Sequence, residues 1–83
     1  MGLFSSYAKT QVESYKERIE HLKRDHSSAK ANHDRRMEGY KRNKNKNGIE
    51  QEKIFWAGVM KRYNYELEQL KKYLAQAKVD AKR

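Results

Sequence analysis

The sequence contains no cysteine and no proline, and it has four glycines and one tryptophan among its 83 residues. Without cysteine it can form neither a disulfide nor a thiolate site for zinc or an iron–sulfur cluster. Without proline, and with few glycines, little in the chain interrupts a long helix. The alternation of polar and apolar residues that marks a strand is missing from both halves, so the sequence predicts an all-α protein.

Acidic residues are few relative to basic ones: 11 Asp and Glu stand against 20 Lys and Arg, which gives a formal charge of +9. Charged residues make up 37% of the chain and hydrophobic residues 36%, so a single small domain without a large core is expected. A chain this basic favours an anionic partner, namely nucleic acid, an acidic protein surface or a membrane surface. The alternative is that lysine serves solubility alone.

No apolar stretch approaches the ~20 residues of a membrane span, and no signal peptide is visible, so we expect a cytoplasmic protein, or one in the host cytoplasm if it is encoded by a phage. The opening sequence MGLFSS fits the short myristoylation pattern, with Gly2 after the initiator. Association with a membrane surface, led by Leu3 and Phe4, is therefore one functional hypothesis. The other interpretation of this segment is a lead-in whose Ser5 or Ser6 caps the first helix.

Two sets of apolar residues recur with alternating spacings of three and four, which is the heptad pattern of packed helices. They predict one domain over residues 1–83, with a helix at about 6–42, a basic turn at about 43–47 and a second helix at about 48–81. The predicted fold is an antiparallel, coiled-coil-like hairpin about 50 Å long, at ~1.5 Å per residue. Its predicted core comprises Val12, Tyr15, Ile19, Leu22, His26, His33, Trp56, Met60, Tyr63, Leu67, Leu70 and Leu74.

The turn is predicted from KRNKNKNG, residues 41–48, because asparagine tolerates left-handed backbone and competes with helical hydrogen bonds. Asn47, followed three residues later by Glu50, resembles a helix cap. Regular heptads then pair Tyr15 with Ala77, His26 with Leu67, His33 with Met60 and Met37 with Trp56.

The two histidines of the predicted core are interpreted as polar interruptions that fix this register. Protonation of His26 or His33 would add charge to the apolar contact between the two helices. The sequence therefore also predicts that stability falls as the pH is lowered from about 7.5 to 5.5.

Lysine recurs every seven residues along one side of the first helix, and a matching row on the second helix lies beside it. The predicted register places Lys16 beside Lys78. It also places Lys23 beside Lys71, so that like charges meet at a cost in stability. A surface that concentrates positive charge in this way is typical of phosphate binding. The candidate residues for binding nucleic acid or another anion are Lys9, Lys16, Lys23, Lys30, Lys41, Arg42, Lys44, Lys46, Lys71 and Lys78.

Four apolar residues of the second helix fall outside the predicted seam, namely Ile54, Phe55, Val59 and Tyr73. A two-helix hairpin alone is marginally stable, so we expect this face to pair two hairpins into a four-helix bundle. The rival hypothesis is an adaptor or inhibitor that docks on another protein through the same residues.

Catalysis is not expected, because the sequence contains no nucleophile–base arrangement, no glycine loop that cradles phosphate and no converging pair of carboxylates. The core histidines are seven residues apart, about 10 Å along a helix, which is too far to share one metal ion. The sequence therefore predicts a non-enzymatic binding protein without cofactor or metal, which homo-oligomerises and binds nucleic acid or an acidic protein surface.

Overall fold

The computed structural model describes residues 3–82, with side chains from residue 7 onward, and these residues form two α-helices and no strand. Helix α1 spans Leu3–Arg42 and helix α2 spans Lys46–Lys82. The helices pack against each other as an extended hairpin measuring 64 × 16 × 11 Å. The predicted length of about 50 Å was too short, because helices of 40 and 37 residues are about 55–60 Å long.

The first helix begins at Leu3, three residues before its predicted start. Ser5 and Ser6 therefore lie inside α1, and the expectation that one of them caps it was wrong. At the other end of the chain, α2 continues to Lys82, one residue past its predicted end.

The chain reverses direction in three residues, 43–45, instead of the five that the sequence suggested. The N–H of Asn45 donates to the carbonyl of Tyr40 at 2.8 Å, and the N–H of Lys44 donates to the carbonyl of Lys41 at 3.1 Å. Lys44 has φ = 55°, in the left-handed region. This pair of bonds around a left-handed residue is a Schellman ending, which satisfies the last carbonyls of α1 within the turn itself.

The second helix is capped by Asn45, not by Asn47. The Asn45 Oδ1 atom accepts a hydrogen bond from the N–H of Gly48 at 2.9 Å, as an N-cap side chain does. Gly48 is needed here for close approach, because a Cβ atom at this position would lie 2.7 Å from the Tyr40 ring. Asn45 thus ends one helix and starts the next, which makes the turn short.

Replacing Lys44 with glycine is expected to raise the free energy of unfolding by about 1 kcal/mol, because glycine adopts left-handed backbone without the steric cost of a Cβ atom. Chemical denaturation followed by circular dichroism measures the change. Lys44→Ala is the matched control, since it removes the charge but keeps the Cβ atom. An equal gain in the alanine variant would show that charge repulsion, and not backbone strain, is relieved.

Because the connection between the helices is short, α2 is shifted along α1 by about one helical turn from the predicted register. His26 stacks on Tyr63 with ring centroids 3.7 Å apart, and His33 stacks on Trp56 at 4.5 Å. Tyr15 lies against Tyr73 at 5.8 Å. In each case the partner on α2 is four residues closer to the turn than regular heptad pairing placed it. The predicted pairing of large with small residues, Tyr15 opposite Ala77, is therefore wrong.

The residues at the contact between the two helices, here called the seam, remain partly exposed to solvent. Among residues 7–82 the buried apolar side chains are Ala8, Ile19 and Ala77, and none is fully buried. Apart from Ile19, every predicted core residue is half-buried. The hairpin therefore has a continuous line of apolar contact, but it has no closed core.

Candidate functional site

The turn and the adjoining helix ends carry the densest positive charge in the described chain. Lys41, Arg42, Lys44 and Lys46 are all exposed, and no acidic residue occurs from residue 39 to residue 49. We call these four residues the basic tip. Arg42 is engaged by Glu38, with 2.9 Å between its Nη2 atom and Oε1. The three lysines form no ion pair within residues 3–82.

The backbone at the basic tip is fixed by its hydrogen bonds. The N–H groups of Asn43, Lys44 and Asn45 all donate to carbonyls of α1, and the N–H of Gly48 donates to the Asn45 side chain. An anion bound here would contact the exposed lysine and arginine side chains of the basic tip. Such contacts supply charge and salt dependence, but they carry little sequence information.

The lysine rows along the hairpin are exposed, but they do not face each other as predicted. Because α2 is shifted along α1 by one helical turn, Lys78 does not lie beside Lys16, and Lys71 does not lie beside Lys23. Acidic side chains also interrupt the rows, since Lys16 lies 3.8 Å from Glu13. The rest of this set, Lys9 and Lys30, is exposed as well. The rows are therefore a mixed charged surface, in contrast to the basic tip.

The seam near the tip contains a ladder of stacked rings. His26 lies between Tyr63 and Trp56, with its ring centroid 3.7 Å from the first and 5.3 Å from the second. Trp56 in turn stacks on His33 with an interplanar angle of 10°. The histidines predicted at core positions are therefore packed by aromatic faces from the opposite helix, which hold the register of this segment.

The ladder ends at a buried carboxylate, Glu52, which the heptad pattern did not predict. Glu52 is 6% exposed and accepts hydrogen bonds from Arg36, 2.7 Å to Nε and 3.1 Å to Nη2. Its Oε2 atom also lies 2.7 Å from His33 Nδ1. These bonds, from Arg36 first and His33 second, lower the pKa of Glu52 to about 2. The same contact raises the pKa of Arg36 above its ordinary value.

A signal for Glu52 was present in the sequence. A histidine at a core position needs a polar partner, because a buried polar group without a hydrogen bond is costly. Glu52 lies four residues before Trp56, and so on the same side of α2. Its carboxylate also changes the surroundings expected for His33, whose Nδ1 atom lies 2.7 Å from Glu52 and not in an apolar environment.

The four apolar residues predicted as an interface do not form one patch. Ile54 and Phe55 are 75% and 56% exposed, and the Phe55 ring lies under the guanidinium of Arg36, with 5.6 Å between its centroid and Cζ. Phe55 and Val59 line an open groove between the helices. Tyr73, by contrast, packs against Tyr15 near the open end of the hairpin.

Metal binding and membrane association were also considered from the sequence. No group of three or more histidine, aspartate or glutamate residues within 3–82 is arranged to hold a metal ion. Neither helix of that range has an apolar stretch that could cross a membrane. Gly2 and the side chains of Leu3 and Phe4, on which the membrane hypothesis depends, lie outside the described residues.

Comparison with known proteins gave no relative: no family model, no curated protein and no solved structure matches the chain.

Proposed function

We propose that the protein is a non-enzymatic binding protein that attaches to nucleic acid, or to a similarly dense anionic surface, through its basic tip. The observation that supports this most is the cluster of exposed cations at one end of a rod, with no acidic side chain from residue 39 to residue 49. The end of the rod, with principal-axis extents of 16 × 11 Å for its Cα atoms, is small enough to lie against a phosphate backbone.

The backbone of Lys44 adds a second argument. A left-handed residue at the end of a Schellman motif is usually glycine, and lysine is strained there. A lysine at this position places a charged side chain at the outermost part of the turn, and the chain is less stable for it. An exposed charge at the cost of some folding stability is expected of a residue that binds a partner.

We also propose that the protein acts as a pair of hairpins in a four-helix bundle. This is supported by the absence of any fully buried side chain within residues 7–82, since a small domain with so open a core is marginal alone. The rival function, docking on another protein through Ile54, Phe55, Val59 and Tyr73 together, has less support because Tyr73 packs on Tyr15, away from the groove at Phe55 and Val59.

Binding to labelled DNA and RNA of unrelated sequence, measured by anisotropy across a salt series, tests the proposed function. We expect binding that weakens steeply with salt. The triple variant Lys41→Gln/Lys44→Gln/Lys46→Gln is expected to lower the slope of log K against log salt by about 2–3, because each phosphate contact contributes about 0.7–0.9.

The matched control removes the same charge elsewhere, as Lys16→Gln/Lys23→Gln/Lys71→Gln. We expect its slope to change by less than about 1. If the two triple variants lose the same slope, net charge and not the basic tip controls binding. If wild-type protein fails to bind at low salt, the proposed function is wrong.

A further inference from the structure

An open groove runs between α1 and α2 beside the ring ladder. It is lined by Leu22 and Ala29 of α1 and by Phe55, Gly58 and Val59 of α2. More than half of the Phe55 side chain is exposed, although its ring is the largest apolar group along this edge. An open, largely apolar groove beside an incomplete core is suited to receiving another helix.

Gly58 forms a notch in this groove that the hairpin itself does not need. A Cβ atom at Gly58 would meet nothing within 4 Å. A glycine inside a helix costs about 0.5–1 kcal/mol relative to alanine, so one without a packing reason weakens α2 for no gain in the single hairpin. Its position in the groove gives it a reason, because the missing side chain leaves room for a group from outside.

We propose that a second copy of this chain fills the groove, and that Phe55 of each copy seats in the notch at Gly58 of the other. This inference rests on the proposed pairing of hairpins, and it assigns the surface through which they pair. Phe55 and Gly58 lie three residues apart on α2, and so on the same face about one turn from each other. A two-fold axis between them brings each ring to the opposite notch, as an isologous interface requires.

The charges of the groove also suit a second copy. The charged residues that line it are Asp25 on α1 and Arg62 and Glu66 on α2, and all three are exposed. Their formal charges sum to −1, so this lining repels a second copy less than the lysine-rich surfaces of the chain do, whereas a strongly acidic or basic partner would face repulsion from one of the two signs. The chain as a whole is strongly basic, with a formal charge of +9, so this is a surface on which two copies can approach.

A dimer interface of ordinary size would extend beyond the groove itself. A stable interface buries about 800 Å² on each partner, which is about a ninth of the 6929 Å² exposed by the hairpin. Burying the groove would cover the half-buried seam residues Leu22 and Tyr63 as well as Phe55. The pairing would therefore complete the core that the single hairpin leaves open.

Sedimentation equilibrium of full-length protein between about 1 and 300 µM tests the assignment. Gly58→Gln fills the notch with a polar side chain, and the hairpin has open space for it. We expect wild type to dimerise and Gly58→Gln to raise the dissociation constant of the dimer tenfold or more, equivalent to about 1.4 kcal/mol. Phe55→Ala is expected to do the same, because it removes the group that fills the notch.

Gly39→Gln is the matched control, since a Cβ atom at Gly39 also meets nothing within 4 Å and Gly39 does not line the groove. Both glutamine variants should raise helicity alike, but only Gly58→Gln should weaken the dimer. A dimer that tolerates Gly58→Gln and Phe55→Ala overturns the groove as its interface. A wild-type protein that stays monomeric throughout overturns pairing itself and leaves the groove to a different protein. Neither result affects the anisotropy measurement on the basic tip, so the two proposals fail separately.

Discussion

Replacing Trp56 with alanine is expected to lower the free energy of unfolding by about 2–3 kcal/mol. A fully buried tryptophan costs about 3–5 kcal/mol when truncated, and Trp56 is half-buried. The variant also removes the ring that lies against both His26 and His33, so the ladder loses two of its stacking contacts at once. Urea denaturation followed by circular dichroism at 222 nm measures the loss.

The neighbouring residue provides the control for this prediction. Phe55 is of similar size but outward-facing, and within the hairpin its ring contact is the cation–π interaction with Arg36. At a concentration where the protein is monomeric, Phe55→Ala should cost less than about 1 kcal/mol. If Phe55→Ala destabilises the monomer as much as Trp56→Ala, the seam does not run through Trp56 as the structure places it.

Replacing Glu52 with glutamine is expected to destabilise the hairpin by about 1.5–3 kcal/mol at pH 7, because hydrogen bonds to a charged carboxylate are stronger than those to an amide. The loss should depend on pH in a defined way. The pKa of Glu52 is about 2 in the hairpin against an ordinary value of 4.5, so between these values the unfolded chain binds more protons. Stability therefore falls as the pH falls from about 4.5 towards 2.

The difference in stability between wild type and Glu52→Gln isolates this contribution, because other carboxylates titrate in both proteins. The difference should shrink from its value near pH 5 to near zero by about pH 2. Glu50→Gln serves as the control, since Glu50 is exposed two residues away. A difference that does not vary with pH would mean that the Glu52 carboxylate is not held by Arg36 and His33.

The helices were predictable from sequence because long heptad repeats without proline are compatible with few structures other than helices. The register was not, and the reason lies in the turn. Asn45 and Asn47 are both residues that can cap a helix, and the choice between them shifts α2 relative to α1. The hydrogen bonds that decide the choice, from Asn45 to Tyr40 and from Gly48 to Asn45, join residues whose approach only the folded turn defines.

The candidate site also has one part that the sequence predicts and one part that it does not. The basic tip could be identified from composition, because four cations within six residues remain together whatever the register. Glu52 could not be found from the heptad pattern, since strict spacing continued back from Trp56 points to Lys53, which is exposed. Glu52 is buried because α2 advances by four residues twice, from 52 to 56 to 60, which turns its early part towards His33 and Arg36.

The three-residue reversal at Asn45 also affects the order in which the chain can close. Contacts near the turn join residues about 16–19 apart, such as Arg36 and His33 with Glu52, whereas Tyr15 and Tyr73 are separated by 58 positions. The entropy lost on closing a loop grows with its length, and each contact made near the turn shortens the loop that the next must close. The hairpin therefore has a preferred direction of assembly, in which a rigid, capped turn allows the ring ladder to form first and the open end last.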